Sequence, residues 1–470
     1  MRVAVVGASG FVGRALLQHL LDDPIFELTA LSRNPFSLVH AAANDRFRWL
    51  GVDLHNMLEL ESALEGMDSA VYLVHSMLPT ARLNQGNFSD FDLSLADNFA
   101  RAARRVGVKH VVYLSGLIPN IPQLSDHLQS RLEVEEVLRC YVPRVTCLRT
   151  GIIVGAAGSS FTILQTLVRR LPVMICPKWT HNLCQVISLQ DAVHALLLCL
   201  KNPNLQGETW DIGAEPPISY LAMMQETAKL LHLRRRFWTF PLMTMGLSKL
   251  WVRMISRAPK DLVYPLVESL KASMLVRPKA RWPVLEPPLQ DFRAAVLSVL
   301  PILRNGLPHR PHAFHLNVFS SKQSWVRSIQ RLPLPAGRDA AWVAAEYLKL
   351  LPKLMPLLIR VEYDGPIVHL KLKLTGHDLL TLEYSPERSS ADRQLFYVKG
   401  GILASRDNIR ARFELRETLG GTACLAAVHD FRPALPWLLY RLSQAEVHRL
   451  FMYNLAVHLR KLGGVAKPPR

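Results

Sequence analysis

No apolar run in this sequence is long and unbroken enough to cross a membrane. The nearest approach, "FWTFPLMTMGLSKLWVRMIS" at 237–256, is interrupted by Pro241, Lys249 and Arg253. It reads as a groove-lining or surface-seeking helix, not a span. Cysteine is scarce: six residues, at 140, 147, 176, 184, 199 and 424, with no CxxC pair and no metal-ligand spacing. That excludes a disulfide framework and fits the reduced thiols of a cytosolic protein. Acidic residues are in deficit, 38 Asp and Glu against 56 Lys and Arg, a formal charge of +18. Such an excess calls for an anionic partner: a nucleotide phosphate, an acidic lipid surface or nucleic acid. The basic residues form only small clusters, at Arg104–Arg105 and Arg234–Arg236, with no aromatic-interleaved basic ribbon. Nucleic acid is therefore not expected. "MRVAVVG" enters a strand at once, so no signal peptide is expected. The expected location is cytoplasmic, with peripheral membrane contact as the alternative.

What the chain does contain is enough apolar residue for a large core. It has 470 residues, 49% hydrophobic and 20% charged, the balance of a globular protein with two or three domains. The runs "RVAVVG", "FELTALS", "FRWLGVDL", "SAVYLVHS", "HVVYLSG" and "RVTCLRTGIIVG" are strand-like. Helical patterns lie between them at 11–23, 57–65, 90–107 and 125–139, and another follows at 160–170. Apolar strands alternating with helices predict an α/β, doubly wound parallel sheet covered on both faces. "CQVISLQDAVHALLLCL", "ETWDIGAEPP" and a helix over 219–231 predict a small substrate lobe closing over the sheet's carboxyl edge, the whole domain spanning 1–275. Residues 276–313, rich in Pro, Arg and His, read as a linker with one short helix near 290–303. In it "HRPHAFH" sets His309, His312 and His315 three apart, but without an adjacent Cys or acid no metal site is expected. From 314 to 470 a helix at 339–355 precedes strand-like runs at 359–363, 367–374, 379–384, 394–399, 410–416 and 422–430, and a helix at 441–461 ends the series. That grouping predicts an α+β domain, an antiparallel sheet with a helix laid across it.

"VAVVGASGFVGRALL" places Gly7, Gly10 and Gly13 directly between the first strand and the first helix. One glycine permits the tight turn, one admits a pyrophosphate to the backbone, and one lets helix pack on strand. The residues of this turn, Gly7, Ser9, Gly10, Phe11, Val12 and Gly13, are the expected cradle, with the helix N-terminus offering its free N–H groups. Strand two ends in Ser32 and Arg33, where an acid would bind a ribose 2′-hydroxyl. A fixed guanidinium beside a hydroxyl suits a 2′-phosphate, so NADP(H) is expected over NAD(H). Asp53 and Leu54, after strand three, are placed to meet the adenine, though an aspartate there is also a common turn residue.

Together "GASGFVG", "VDL" at 52–54, Asn98, "VVYLSG", "LRTGIIVGAAGSSF" and "VISLQDAVHALL" resemble the extended and atypical short-chain dehydrogenases/reductases, which include epimerases and NmrA-like proteins. The likeness covers about residues 1–275 and implies a Rossmann sheet, with Arg149 to Gly155 bordering the substrate cleft and Asp191 opening the helix after it. It also implies a reaction centre: a Tyr and a Lys four apart on the helix after strand five, and a hydroxyl at that strand's end. Ser115 matches the hydroxyl. The Tyr and Lys positions fall on His127 and Arg131, so the sequence departs from the pattern at both. Imidazole can act as acid or base, whereas a guanidinium can bind ribose hydroxyls but cannot relay a proton. The structural alternative is that Arg131 pairs with Glu135 one turn on and His127 is simply exposed. His75 and Ser76, ending strand four, are expected near the nicotinamide, and Tyr113 reads as strand packing. The functional expectation is an oxidoreductase or epimerase-type enzyme on a small-molecule substrate. The alternatives are a nucleotide-binding sensor or assembly protein, and a lipid-binding membrane-surface protein.

The C-terminal pattern resembles the START-like helix-grip domains, which implies an apolar or lipid ligand between sheet and helix. Glu387, Arg388, Arg393, His429, Asp430 and Arg432 concentrate there, and a solvated ion-pair network is the expected arrangement. Trp437, Leu438, Leu439 and Tyr440 read as core or interface.

Overall fold

The computed structural model describes residues 1–33, 45–75, 83–240, 244–284, 286–304, 325–408 and 410–463. His309, His312, His315 and Ser76 lie outside them. The chain divides into two units, residues 1–78 with 95–314, and residues 79–94 with 315–470.

The first unit is built on a parallel sheet of seven strands. They are β1 (Arg2–Val6), β2 (Glu27–Ser32), β3 (Phe47–Gly51), β4 (Ser69–Tyr72), β5 (His110–Gly116), β6 (Arg144–Thr150) and β7 (Thr209–Ile212). Their order is β7-β6-β5-β4-β1-β2-β3, every pair parallel, the doubly wound arrangement expected. The central strands are apolar throughout because both faces are covered: Val3, Ala4, Val5 and Val6 are all fully buried. Helix α1 (Phe11–Leu21) buries Gly13, Leu16, Leu17 and Leu20, the spacing of a single apolar face. It shares a core with α6 (Leu189–Lys201) and β1 on one side of the sheet. Helices α2 (Met57–Leu64), α3 (Phe88–Arg105) and α4 (Asp126–Tyr141) complete the crossovers, and α3 begins in the second unit.

The small lobe grows from the segments after β6. Helices α5 (Ser159–Arg170), α7 (Tyr220–Leu230), α8 (Met245–Ser256) and α9 (Lys260–Ser269) surround a second core with Phe161, Met223, Val252 and Val263 at its centre. Residues 276–304, expected as linker, are instead part of this unit. Arg277 clasps the fully buried Asp211 through Nε at 2.6 Å and Nη2 at 2.7 Å, and Trp282 meets Trp210 edge-on. Helix α10 (Phe292–Arg304) buries Phe292, Ala295, Val296, Leu300 and Leu303 in the lobe core. Its apolar face outweighs the proline-rich flanks that made it read as a connector.

The second unit is an α+β domain. Strands β8 (Val326–Pro333), β9 (Ile359–Asp364), β10 (Ile367–Leu372), β11 (Asp378–Tyr384), β12 (Arg393–Gly400), β13 (Arg412–Thr418) and β14 (Ala423–Phe431) form an antiparallel sheet ordered β9-β10-β11-β12-β13-β14-β8. Leu83–Gln85 adds a short parallel strand beyond β8. Helices α11 (Ala340–Leu354) and α13 (Gln444–Leu462) share a core with one sheet face, where Tyr347 stacks with Phe413 and meets Phe451 edge-on. Helix α12 (Trp437–Leu442) precedes α13, burying Tyr440 but leaving Leu438 and Leu439 exposed.

The opposite strand positions carry charge. Glu414 accepts from Arg393 Nε at 2.7 Å, with Arg416 Nη1 at 3.3 Å, and all three side chains are buried. Burial alone would raise the Glu414 carboxyl; Arg416 and Arg393 outweigh it and hold the group down to about 2. Asp430 bridges Arg327 and Arg412 at 3.1 and 3.0 Å, while Arg432 pairs with Asp407. The central network is thus buried, not solvated as expected. Glu387 stays outside it, exposed, and Arg388 bonds Tyr397.

Candidate functional site

The turn after β1 has the geometry of a phosphate cradle. Gly7 has φ +89°, and a Cβ there would press on the Leu73 backbone at 3.1 Å. A Cβ on Gly13 would lie 2.5 Å from the Gly7 carbonyl oxygen and 2.9 Å from Ala8 Cα, rigid backbone that cannot yield. Gly7 and Ala8 N–H both donate to Leu31 O, Gly10 N–H donates to Gly7 O, and Arg14 Nε donates to Ser9 O at 2.8 Å. Helix α1 starts at Phe11 with Gly10 as its cap and no side chain capping it. Its first N–H groups, at Phe11, Val12 and Gly13, are therefore claimed by no side-chain cap, the arrangement an anion requires.

Ser32 and Arg33 end β2 beside this turn. Ser32 is buried and its Oγ donates to Ser9 Oγ at 3.0 Å, so its hydroxyl braces the turn, while Arg33 is exposed. Past β3, Asp53 is half-buried and accepts from His55 N–H at 3.2 Å, an aspartate turn. Leu54 O accepts from the buried Asn98 Nδ2 at 2.9 Å, which ties this loop to α3.

At the carboxyl edge of β4 and β5, three sequence-predicted groups gather. Tyr72 and Tyr113 are register partners, so His75, three residues on, and Ser115, two residues on, leave adjacent strands at the same edge. His127, on the first turn of α4, sets its ring against that of His75, centroids 5.2 Å apart. Ser125 caps this helix by accepting from Leu128 N–H and shares a hydrogen bond with Ser269 of α9 at 2.9 Å. Among the described residues the buried Ser115 Oγ has no hydrogen-bond partner. An orphaned buried hydroxyl is costly unless a ligand satisfies it.

Arg131 does not pair with Glu135. Its Nη1 donates to the hydroxyl of the fully buried Tyr113 at 3.1 Å, and the two Glu135 oxygens are taken by Arg149 at 2.9 and 2.5 Å. Residue spacing along a helix cannot reveal a partner on a neighbouring strand, so both contacts escaped sequence reasoning. So did the role of Phe11. A Cβ on Gly155 would come within 2.4 Å of its ring, and one on Gly158 within 3.1 Å. Those two glycines let the loop after β6 close onto the start of α1. Asp191, as expected, opens α6, where it joins Ser188 in a reciprocal cap and accepts from Gln290 N–H at 2.9 Å.

The six cysteines are free, and five are buried. Burial pushes the Cys147 and Cys199 thiols up to about 12, which leaves them protonated and unreactive. Among the described residues no group of three or more His, Cys, Asp or Glu could hold a metal ion.

Residues 7–139 match the family described as NAD(P)H-binding. The chain is 29% identical over 115 residues to the auxiliary protein GraX of Staphylococcus aureus, covering 24% of this chain and 36% of that one. It is 28% identical over 204 residues to the ceramide reductase of Caulobacter vibrioides, 43% of this chain and 62% of that one. It thus spans between about a third and three-fifths of these relatives' length. Among solved structures, the NADPH-dependent quinone oxidoreductase of Escherichia coli complexed with NADPH superposes with a TM-score of 0.51 at 17% identity, covering 63% of this chain and 99% of that one. Two NmrA-like proteins match as well. Over residues 7–139 the chain carries an NAD(P)H-binding domain, and it is similar in sequence to NmrA-like proteins.

Proposed function

We propose that this protein is an NADPH-dependent oxidoreductase acting on the carbonyl or alcohol group of an apolar substrate, with His127 in the role of proton carrier. The observation that carries the reading is the His75–His127 ring contact at the edge from which Ser115 projects. When bound, the dinucleotide supplies or accepts the hydride. The chain's own residues do the rest. The glycine turn holds the pyrophosphate, Arg33 favours a 2′-phosphate, and Asp53 and Leu54 border the adenine. Ser115 Oγ gives its unused hydrogen bond to the substrate oxygen and orients it. His127 moves a proton to or from that oxygen, and His75 holds the imidazole in position. Similarity to a ceramide reductase supports an apolar substrate.

The test is transfer of deuterium from reductant labelled at the nicotinamide to a panel of long-chain ketones, aldehydes and quinones. The expected result is labelled product, with His127→Ala lowering kcat by about 100-fold or more and leaving NADPH affinity unchanged. Unchanged turnover in His127→Ala would remove His127 from the chemistry. One observation favours a second reading, a nucleotide-binding sensor or assembly protein without turnover: the Arg131 guanidinium is engaged with Tyr113. Tight NADPH binding with no transfer to any substrate would select it.

A further inference from the structure

Helix α8 is more apolar than its packing requires. Its inner side buries Ser248 and Val252 and sets Met245, Trp251 and Ile255 against the lobe core. Its outer side presents Leu247, Leu250 and Met254, spaced i, i+3, i+7, at 56%, 45% and 64% exposure. Such spacing puts all three on one stripe. The strand Arg236–Thr239, just before it in the chain, exposes Trp238 at 62%, paired in register with the exposed Ile175. Lone exposed apolar residues are ordinary, but large ones concentrated in one short segment mark a contact surface.

Along this segment, up to Asp261, the charge has one sign. Residues 231–260 contain seven Lys or Arg and no Asp or Glu. Arg236, Arg253 and Arg257 are exposed and make no ion pair among the described residues, whereas Lys249 pairs with Glu268 at 2.9 Å. An apolar stripe with aromatic and cationic neighbours matches the interface of an anionic bilayer, where side chains enter the acyl boundary and guanidinium groups meet headgroup phosphates. No described helix is long and apolar enough to cross a membrane, so α8 would lie in the interface plane.

We propose that the outer side of α8, with Trp238, is a docking surface for an anionic lipid bilayer. The proposal is independent of the reaction assigned above. The test is flotation of the full chain with vesicles of three parts phosphatidylcholine to one part phosphatidylserine, and with phosphatidylcholine alone, at low and high salt. The expected result is binding to the mixed vesicles that weakens with salt. Leu247→Glu with Met254→Glu should lower the partition coefficient by tenfold or more, on the order expected for losing buried apolar contact. Arg236→Ala and Arg253→Ala should each lower it about fivefold. All these positions are exposed, and unchanged NADPH affinity and melting temperature verify that the variants fold. Failure of the intact chain to float with mixed vesicles would overturn the proposal. So would full binding by the Leu247→Glu/Met254→Glu variant. Self-association abolished by that variant, without lipid binding, would overturn it in favour of an interface between copies of the chain.

Discussion

Replacing Glu135 with Gln perturbs the scaffold directly behind the site. Both Glu135 oxygens accept from Arg149, and the side chains of Arg149 and Glu135 are only 9% and 6% exposed. The pair joins α4, which carries His127 and Arg131, to β6. A glutamine keeps one acceptor oxygen but removes the charge, leaving a guanidinium that water cannot readily solvate. Breaking a buried pair from one side costs about 3–5 kcal/mol, and the retained hydrogen bond puts Gln at the lower end, about 3 kcal/mol. The first unit holds roughly 300 residues, so its unfolding entropy is about 0.6 kcal/mol/K. The melting temperature of that unit should therefore fall by about 5 °C.

Differential scanning calorimetry measures this directly, with NADPH titration verifying the fold. Removing both charges, as Glu135→Met with Arg149→Met, should recover much of the loss, because no buried charge then remains without its counterion. The reasoning fails if Glu135→Gln melts within about 1 °C of the parent, or if the double variant is as unstable as the two single changes added together. Either result would mean the ion pair is solvated or slack, and that it does not hold α4 in place.

Two further outcomes follow. Arg33→Ala should raise the Kd for NADPH about 10–100-fold, the worth of one charge-assisted phosphate contact, and leave that for NADH nearly unchanged; fluorescence titration of the two nucleotides decides, and equal losses would remove the 2′-phosphate role. Burial pushes His110 down to about 4 from 6.5, so the unfolded chain takes up this proton first as pH falls. The neutral imidazole's contribution is complete above the unfolded value and is lost through the window down to the folded one, up to about 3 kcal/mol. Urea midpoints measured across that window should fall more steeply for the parent than for His110→Phe, and parallel slopes would contradict this.

Much of the architecture was legible because periodicity is a local signal. The helices α5, α7, α11 and α13 lie within three residues of their expected ends, and β9 to β14 match six expected runs. Strand β8 was missed for a physical reason. Its apolar residues, Val326, Ile329 and Leu332, are spaced by three: Val326 and Leu332 join the domain core, Ile329 is buried outside it, and a bulge between Val326 and Ser328 shifts the register. Alternation by two, the mark of a strand, is therefore absent. Its parallel neighbour Leu83–Gln85 has three residues, too few to carry any period. The charged sheet positions were misjudged differently. Arg393, Glu414 and Arg416 alternate with Phe396, Phe413 and Leu415, which is the pattern of a half-exposed sheet, yet they are buried. Composition tells where charge sits along a strand, not what covers it.

The site divides along the same line. The glycine turn is local, and the clashes a Cβ would make at Gly7 and Gly13 are the consequences expected of it. The proposed reaction centre is assembled from contacts distant in sequence, His75 with His127 and Tyr113 with Arg131, so its residues could be listed but not connected. The connections matter for the chemistry. In the resembled family one cation serves both the ribose and the proton-donating phenol. Here the guanidinium at that place reaches a tyrosine on β5, and the group at the phenol's place leans on a second imidazole. The Arg131 contact with Tyr113 and the contact of the proposed proton carrier His127 with His75 thus involve different residues. Turnover that depends on His127 but survives Arg131→Lys would fit this separation. Loss of turnover in both variants, together with an equal fall in NADPH affinity, would show that the two act as one unit after all.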